Sequence, residues 1–294
     1  MDGSVESRRA SLSTLRRLIF SSSVPWERQR ARFAAATSAT PVAAGVVRDT
    51  VRVGLLSVET LTPPDVVGDR AIVYVHGGGY CIGSPAMGRA LGSFLAVTLR
   101  ATFYGLDYRL APEHPAPAAV RDVTTLLAHV AGREVVGLAD SAGAGALVAA
   151  LATGAAPVGA LALVSPWLDP LRPYDDDLAE RDPLLSIGWL EACARAYARG
   201  VHDELVSPLH ASWAGLAPTV VVGAEDDLTA PDAAALAARE LPGVMVRTWP
   251  GLWHDFALAL GQTPEAAEAA EAAEVIAQHL AEVMGWRRVE ATGW

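Results

Sequence analysis

The chain has 294 residues, of which 51% are hydrophobic and 19% are charged, and its formal net charge is −10. These values are typical of a globular protein with a large buried core, and the negative charge argues against a nucleic-acid partner, because phosphate binding needs a basic surface. The two cysteines are too few for a disulfide framework and are not spaced as metal ligands, so we expect a cytoplasmic protein.

The first fifty residues are more basic than the rest of the chain. A segment rich in arginine and serine superficially matches a transit peptide, but we favour helices that pack on the domain with their arginines in water. No basic start is followed by a clean apolar stretch, so no secretory signal is expected. The arginines are Arg8, Arg9, Arg16, Arg17, Arg28, Arg30 and Arg32.

Short β-branched or aromatic runs then alternate with longer Ala/Leu-rich segments, which predicts one α/β domain over residues 1–294 with a parallel sheet covered by helices. The predicted strands are 47–57, 71–75, 102–106, 134–138, 160–164, 219–222 and 244–249. The predicted helices are 116–130, 143–152, 231–241 and 264–284, the last with Thr263 as N-cap and Pro264 in its first turn.

Two segments do not follow this alternation. The region 137–164 is the longest apolar one, but Asp140 and several glycines interrupt it, so it predicts a buried β-α-β unit and no membrane span. Between Pro166 and Pro218 the strand pattern stops in a stretch rich in Asp, Pro and Trp, which is typical of a lid or specificity insertion. We expect the segments 1–45 and 167–216 to form a helical cap.

A candidate nucleophile lies in the sequence G-L-A-D-S-A-G at 137–143. A predicted strand here runs into small residues and then into an Ala-rich helix, which would place Ser141 on a tight strand-to-helix turn with its hydroxyl exposed at the positive end of the helix. Acyl transfer by such a serine needs backbone N–H groups aimed at the carbonyl oxygen. We expect these donors to be Gly78 and Gly79, which follow a neighbouring strand, together with Ala142.

A serine nucleophile also needs a histidine oriented by a carboxylate, and in α/β-hydrolases the chain order is serine, acid, histidine. Of the seven histidines, this order favours His254, because it follows the last predicted strand, over His279, which lies inside a predicted helix. The acid should follow the preceding strand in the sequence V-V-V-G-A-E-D-D-L. We predict Asp226, with Glu225 and Asp227 as the alternatives.

With these residues in place, the sequence resembles the hormone-sensitive-lipase-like family of α/β-hydrolase carboxylesterases. The resemblance covers about residues 50–260 and is carried by H-G-G-G-Y at 76–80, D-Y-R-L-A-P-E-H-P-A-P at 107–117, A-D-S-A-G at 139–143, S-P-L-H-A at 207–211 and the late W-H-D-F. It implies a mostly parallel eight-stranded sheet with a helical cap. Carried over, the triad is Ser141, Asp226 and His254, and the oxyanion donors are Gly78, Gly79 and Ala142.

The charged residues of the long motif, Asp107, Arg109 and Glu113, are expected to pair with one another and hold a loop. Three positions depart from the family's pattern. Ala139 and Ala144 stand where glycine is usual, which predicts a slightly altered nucleophile turn. Ala230 stands where the family has a second acid after the triad acid, although Asp232 is near.

The substrate pocket is less well defined by the sequence. Four tryptophans lie in or near the predicted cap and could form an apolar wall, although core packing explains them equally well. They are Trp167, Trp189, Trp213 and Trp253. Tyr80 and Cys81 follow the glycines and could line the acyl side. Cys81 is not expected to be a nucleophile, because the triad order provides no base for it.

These features predict a serine esterase or lactonase that needs no cofactor or metal and acts on short-chain esters or small lactones through a covalent acyl-enzyme. One alternative is an acyltransferase, dehydratase or cyclase of natural-product biosynthesis on the same scaffold. Another is a non-catalytic small-molecule receptor, against which the presence of His254 argues. The expected partner is a small molecule, and a homo-oligomer is left open.

Overall fold

A computed structural model of the protein describes residues 3–201, 203–261 and 266–290. Its centre is an eight-stranded sheet in the order β1-β2-β4-β3-β5-β6-β7-β8. The pairs β1/β2 and β2/β4 are antiparallel, and all the other neighbouring strands are parallel. The predicted α/β-hydrolase fold with a mostly parallel sheet is therefore confirmed.

The central strands are almost wholly buried because helices cover both faces of the sheet. The strands are β1 Val47–Val53, β2 Leu56–Thr62, β3 Arg70–Val75, β4 Thr102–Asp107, β5 Glu134–Asp140, β6 Ala160–Val164, β7 Thr219–Ala224 and β8 Val244–Trp249. The carboxyl ends of β5, β7 and β8 lie along one edge, and the loops after them carry the candidate site residues.

The helices of the described residues are α1 Gly3–Leu18, α2 Trp26–Thr37, α3 Arg89–Leu99, α4 Ala118–His129, α5 Ser141–Ala152, α6 Asp176–Arg181, α7 Ile187–Ala198, α8 Ala230–Ala238 and α9 Ala266–Met284. The predicted capping residues Thr263 and Pro264 lie outside the described residues. Within the described ranges, no helix combines the length and the apolar character that crossing a bilayer requires.

The first predicted strand is wrong, because the segment 47–57 does not form one strand. It contains β1 and the start of β2, which form a hairpin in which Val53 pairs with Leu56. The chain turns at Gly54, whose φ is +60°, and at Leu55, which is 90% exposed. The apolar and β-branched residues continue through the turn, so the sequence pattern does not mark it.

The two N-terminal helices pack against the segment between β6 and β7, which we call the insertion (residues 165–218). The rings of Phe20 and Trp189 meet edge to face with their centroids 5.0 Å apart. The indole Nε1 of Trp189 donates to Oε1 of Gln29 at 2.7 Å, and both groups are buried. These contacts join α2 and the chain before it to α7.

The prediction that the N-terminal arginines point into water is wrong for several of them. Arg30 of α2 donates to the carbonyls of Cys81 and Ala111 at 2.8 and 2.7 Å, and it forms two hydrogen bonds with the carboxylate of Glu113. Arg16 of α1 donates to the carbonyl of Asp182 at 2.9 Å. These arginines attach the N-terminal helices to the body of the protein.

The charged residues of the 107–117 motif do not pair with one another as predicted. Arg109 forms an ion pair with Asp122 of α4 at 2.6 Å, while Glu113 pairs with Arg30 of α2 at 2.7 Å. Asp107 is exposed. The motif does hold a loop, but its partners come from helices that are distant in sequence.

Two helical glycines provide a test of how closely α5 approaches β3. A Cβ on Gly143 would lie 2.6 Å from the carbonyl carbon of Val75 and 2.5 Å from the carbonyl oxygen of His76, whereas one on Gly188 of α7 would come no nearer than 3.6 Å to Ser22 Oγ. We expect Gly143→Ala to lower the free energy of unfolding by about 1–3 kcal/mol or more through overpacking. Gly188→Ala should raise it by up to about 1 kcal/mol.

Urea denaturation of both variants beside the unmutated protein measures this difference. Equal stability of the two variants would contradict the close approach of α5 to β3.

Candidate active site

Ser141 lies on a strained turn between β5 and α5. Its φ is +48°, a conformation that costs a non-glycine residue free energy. Strand β5 ends at Asp140 and α5 begins at Ser141, so the hydroxyl is held at the N-terminus of the helix. The carbonyl of Ser141 accepts a hydrogen bond from the N–H of Trp167 at 3.0 Å, which fixes the turn from the insertion side.

Alanine at position 139 is compatible with this turn. Ala139 lies within β5, where it is paired with Val75 on one side and Leu163 on the other. Any residue adopts this extended conformation, so the positive φ falls on Ser141 itself. The turn therefore accommodates the Ala139 side chain without the altered geometry that the sequence predicted for this position.

His254 contacts the serine hydroxyl through one ring nitrogen and a carboxylate through the other. Nε2 lies 2.9 Å from Ser141 Oγ, and Nδ1 lies 2.9 and 3.0 Å from the two carboxylate oxygens of Asp227. The side chain of His254 is 4% exposed. Hydroxyl, imidazole and carboxylate thus form one continuous hydrogen-bonded chain.

The structure corrects the predicted acid from Asp226 to Asp227, which was one of the two alternatives. Asp226 points away from the imidazole and pairs with Arg9 of α1 at 3.1 Å and with Arg181 at 3.6 Å. Asp227 is fully buried and faces His254. Consecutive side chains leave the loop in different directions, and of the two only that of Asp227 contacts His254.

Thr229 holds the carboxylate of Asp227 in place. Its N–H and its hydroxyl lie 2.7 and 2.9 Å from Asp227 Oδ1. Burial by itself would raise the pKa of Asp227, but the attraction of His254 and these hydrogen bonds outweigh it, so the pKa is lowered. Asp227 is therefore a stable anion beside the imidazole.

The carboxylates around His254 favour its protonated form. Burial opposes the charge and would lower the pKa of the imidazole, but Asp227, Asp255 and, more weakly, Asp182 raise it to about 10. The pKa of His254 is raised overall because Asp227 is adjacent, buried and ionised.

Asp255 is a second acid next to the imidazole that the sequence analysis did not single out. Its Oδ2 lies 3.3 Å from His254 Nε2, and its backbone is left-handed with φ +59°. Burial raises the pKa of Asp255 far above its ordinary value, and the neighbouring Asp140 raises it further, because two buried carboxyls in contact do not both ionise. The position of Asp255 directly after His254 was the one feature of the sequence that could have indicated this contact.

Asp182 is a third acid, contributed by the insertion, and the sequence analysis missed it as well. Its Oδ1 accepts from the N–H groups of Leu184 and Leu185 at 2.8 and 2.9 Å, and its Oδ2 accepts from the N–H of Leu228 at 2.9 Å. Burial raises its pKa to about 6, with Asp227 adding to the effect. Aspartate is common in turns, because its side chain can bond the backbone groups that follow it. A turn was therefore the only role that the sequence indicated for Asp182.

The departure at Ala230 is offset by Asp232. This carboxylate is fully buried; its Oδ2 accepts from the N–H groups of Leu168 and Asp169 at 2.6 and 3.0 Å, and its Oδ1 pairs with Arg172 at 2.8 Å. Asp232 thus ties α8 to the start of the insertion.

The glycine loop after β3 lies beside the serine turn. Gly78 and Gly79 have φ values of +98° and +61°, and a Cβ on Gly79 would lie 2.6 Å from Cys193 Sγ. The N–H of Gly77 donates to Asp140 Oδ2 at 2.9 Å. Within the described chain, the N–H groups of Gly78 and Gly79 donate to no protein acceptor. The N–H of Ala142 is in the first turn of α5, where no intrahelical acceptor exists.

A cavity of about 170 Å³ opens beside Ser141 and His254. Its walls are mainly apolar and come from α1, α2, the insertion and the chain around His254. Two of the predicted pocket residues, Trp189 and Trp253, line it. Asp255, Gly78 and Arg8 also reach it.

The other predicted pocket residues lie elsewhere, because they pack in the core beneath the glycine loop. Tyr80 is 1% exposed and stacks on Tyr197 with ring centroids 3.6 Å apart. Cys81 is fully buried. Trp167, also fully buried, donates from its indole to the hydroxyl of Tyr174 at 3.1 Å. Core packing, the alternative given for the tryptophans, holds for Trp167 and for Trp213, which is also buried. The predicted place of Tyr80 and Cys81 in the lining of the pocket is wrong.

Two other histidines, His76 and His279, do not line the cavity beside Ser141 and His254. His76 is fully buried, its Nδ1 lies 2.8 Å from the carbonyl oxygen of Gly77, and burial lowers its pKa to about 4. His279 lies in α9, and His202 lies outside the described residues. Among the residues that the structure describes, no group of His, Cys, Asp and Glu side chains is arranged to hold a metal ion.

The sequence is similar to those of known proteins. A family model described as "alpha/beta hydrolase fold" matches residues 72–258. An acetyl-hydrolase of Streptomyces hygroscopicus is 35% identical over 222 residues, which cover 70% of this chain and 74% of that protein. An esterase of Acinetobacter venetianus is 32% identical over 218 residues, which cover 68% of this chain and 72% of that protein.

A solved structure agrees over nearly the whole length. The crystal structure of an esterase from the bacterial hormone-sensitive lipase family superposes with a TM-score of 0.83 at 26% identity, covering 97% of this chain and 99% of that one. The chain belongs to the hormone-sensitive-lipase-like family of α/β-hydrolase carboxylesterases.

Proposed function

We propose that the protein hydrolyses short-chain esters or small lactones through a covalent acyl-enzyme on Ser141. The observation that carries this proposal is the hydrogen-bonded chain from Ser141 through His254 to Asp227, with contacts of 2.9 Å at each nitrogen of the imidazole. This is the arrangement that activates a serine hydroxyl.

In the first step, His254 Nε2 takes the proton from Ser141 Oγ as the oxygen bonds to the ester carbonyl carbon. The imidazolium then gives this proton to the leaving alcohol, and the acyl group remains on the serine. In the second step, a water loses its proton to Nε2 as its oxygen attacks the acyl carbon. The imidazolium then returns this proton to Ser141 Oγ as the bond between that oxygen and the acyl carbon breaks, which releases the acid and restores the free serine. Asp227 holds the ring orientation and stabilises the imidazolium in both steps.

We propose that the N–H groups of Gly78, Gly79 and Ala142 stabilise the negative oxygen of each tetrahedral intermediate. Left-handed backbone at Gly78 and Gly79 leaves their N–H groups without protein acceptors, as an oxyanion site requires. Each such donor contributes about 3–4 kcal/mol to transition-state stabilisation in serine hydrolases. No cofactor takes part in this scheme.

The size of the cavity supports a short substrate. A cavity of about 170 Å³ is close to the roughly 150 Å³ that holds one benzene molecule in an engineered protein. We propose that α1, α2 and the insertion form a cap that closes this space. A small lactone fits the same scheme, because its alcohol leaves the carbonyl but stays attached to the acyl group.

Replacing the nucleophile is the direct test. We expect Ser141→Ala to lower kcat/KM for 4-nitrophenyl butyrate by roughly 10⁴-fold or more, because it removes the atom that forms the acyl-enzyme. Mass spectrometry should show a fluorophosphonate adduct on the unmutated protein and none on this variant. Ser212→Ala, at an exposed position, is the control and should retain both properties. A variant lacking Ser141 that still turned over the ester would overturn the proposal.

Substitutions of Asp226 and Asp227 test which of them is the acid of the triad, the residue predicted from the sequence or the one that contacts His254 in the structure. Asp227→Asn should lower kcat by roughly 10⁴-fold, because the amide favours the wrong imidazole tautomer and carries no charge. Asp226→Asn should change kcat by less than about twofold, because that side chain does not touch the imidazole and the amide oxygen can still accept the hydrogen bond from Arg9. Steady-state kinetics of both variants give the answer, and a larger loss in the Asp226 variant would contradict the structure.

The pH dependence follows from the charge around the imidazole. His254 must be neutral to take the serine proton, so kcat/KM rises with pH through its pKa in the free enzyme. The buried, ionised Asp227 raises that pKa above its ordinary 6.5, and Asp255 and Asp182 add to the effect when they are ionised. Asp140 lies beside Asp255 and competes with it for ionisation. The acidic limb should therefore be displaced towards alkaline pH.

Rates from about pH 5 to about pH 10, with the Ser141→Ala rate subtracted as background, measure this limb. Half-maximal activity at or below pH 6.5 would contradict the expected direction.

A further inference from the structure

The cavity beside Ser141 is lined by a cation that has no counter-ion in the described part of the chain. Arg8 of α1 lines the same cavity as Ser141 and His254. Its Nε is buried and has no hydrogen-bond partner, and no carboxylate of the described residues pairs with the guanidinium. A buried donor without an acceptor is unfavourable, so a ligand that supplies the acceptor would be stabilised there.

Neighbouring arginines of the N-terminal helices are bound by the protein itself. Arg9, the next residue, pairs with Asp226 at 3.1 Å, and Arg16 of the same helix donates to the carbonyl of Asp182. Arg30 of α2 pairs with Glu113. These residues attach the helices to the body of the protein, whereas Arg8 faces the cavity.

The acid in the cavity does not neutralise Arg8. Asp255 also lines the space, but its Oδ2 lies 3.3 Å from His254 Nε2, and it forms no ion pair with Arg8 in the described structure. Burial and the neighbouring Asp140 favour the protonated form of Asp255. The walls of this cavity are mainly apolar and include Leu12, Leu15 and Phe33. Among the described residues, the lining of the cavity therefore combines mainly apolar walls with a guanidinium that has no ion-pair partner.

We propose that Arg8 binds a carboxylate carried by the substrate, at the end remote from the ester bond. The planar guanidinium offers paired N–H donors that match the two oxygens of a carboxylate. An apolar chain between the two groups would lie against the apolar walls. The preferred substrates are thus esters with a short chain that ends in a carboxylate. This inference rests on the proposed function, because it assumes that Ser141 attacks an ester in this cavity.

Two substrate pairs test the inference, each differing only in a methyl group replaced by a carboxylate. The first pair places the charge on the acyl side: 4-nitrophenyl hexanoate and the mono-4-nitrophenyl ester of adipic acid. The second pair places it on the alcohol side: pentyl acetate and 5-acetoxypentanoate, followed by titration of the released acid. For at least one pair, we expect the unmutated enzyme to prefer the anionic ester by roughly tenfold to a hundredfold in kcat/KM.

The variant Arg8→Met keeps much of the apolar stem and removes the charge. It should abolish the preference, mainly through a higher KM for the anionic ester, because the carboxylate lies away from the reacting atoms. Arg17→Met is the matched control: it removes an exposed arginine from the same helix and should keep the preference. In the unmutated enzyme, added salt should reduce the preference without any substitution.

The outcomes separate this inference from the proposed function. A preference for the anionic ester that disappears in Arg8→Met and persists in Arg17→Met supports the inference. If the neutral esters are hydrolysed and Ser141 is labelled, but the unmutated enzyme shows no anionic preference in either pair, the inference fails and the proposed function stands. If no ester is turned over and no label forms on Ser141, both fail.

Discussion

The buried carboxylate of Asp140 fixes the spacing on which the site depends. Its Oδ2 accepts the N–H of Gly77 at 2.9 Å, and its Oδ1 accepts the hydroxyl of Tyr74 at 2.5 Å. Because Asp140 directly precedes Ser141 and Gly77 directly precedes the oxyanion-type donors, this carboxylate ties the nucleophile turn to the glycine loop. The approach is close enough that a Cβ on Gly77 would lie 2.9 Å from the Cβ of Ser141. Losing either donor would leave a buried charge poorly satisfied.

The charge around the imidazole follows from the same crowding. Asp140, Asp182, Asp227 and Asp255 are largely buried near His254, and burial shifts the pKa of Asp140 and of Asp182 to about 6. Buried carboxyls this close do not all ionise, so some of them share protons. The arrangement favours the imidazolium, which is the form that His254 takes in the proposed acyl transfer. It also holds a proton on the resting imidazole. In the proposed mechanism, one set of acids would therefore stabilise the transition state and shift the pH range of activity.

Much of the fold and part of the site could be predicted from the sequence, because strand ends and chain order place Ser141, His254 and the glycine loop. The acid could not be assigned to one residue, since Asp226 and Asp227 are consecutive in a loop without periodicity. Their directions are decided by distant partners: Arg9 takes the first, and His254 takes the second. Burial patterns likewise do not tell a tryptophan that lines a cavity from one such as Trp167 that lies beneath it.

The hydrogen bonds that attach the N-terminal helices and the insertion also support the reacting groups. Asp182 of the insertion accepts the N–H of Leu228, which directly follows the triad-type acid Asp227. Arg9 of α1 binds the residue before that acid, and Arg30 of α2 binds the carbonyl of Cys81, two residues beyond the glycine pair. Each of these segments is thus bonded within a few residues of a group that takes part in the proposed chemistry. Displacing one of them would loosen the loop beneath it, so the covering helices and the alignment of the site are held by the same interactions.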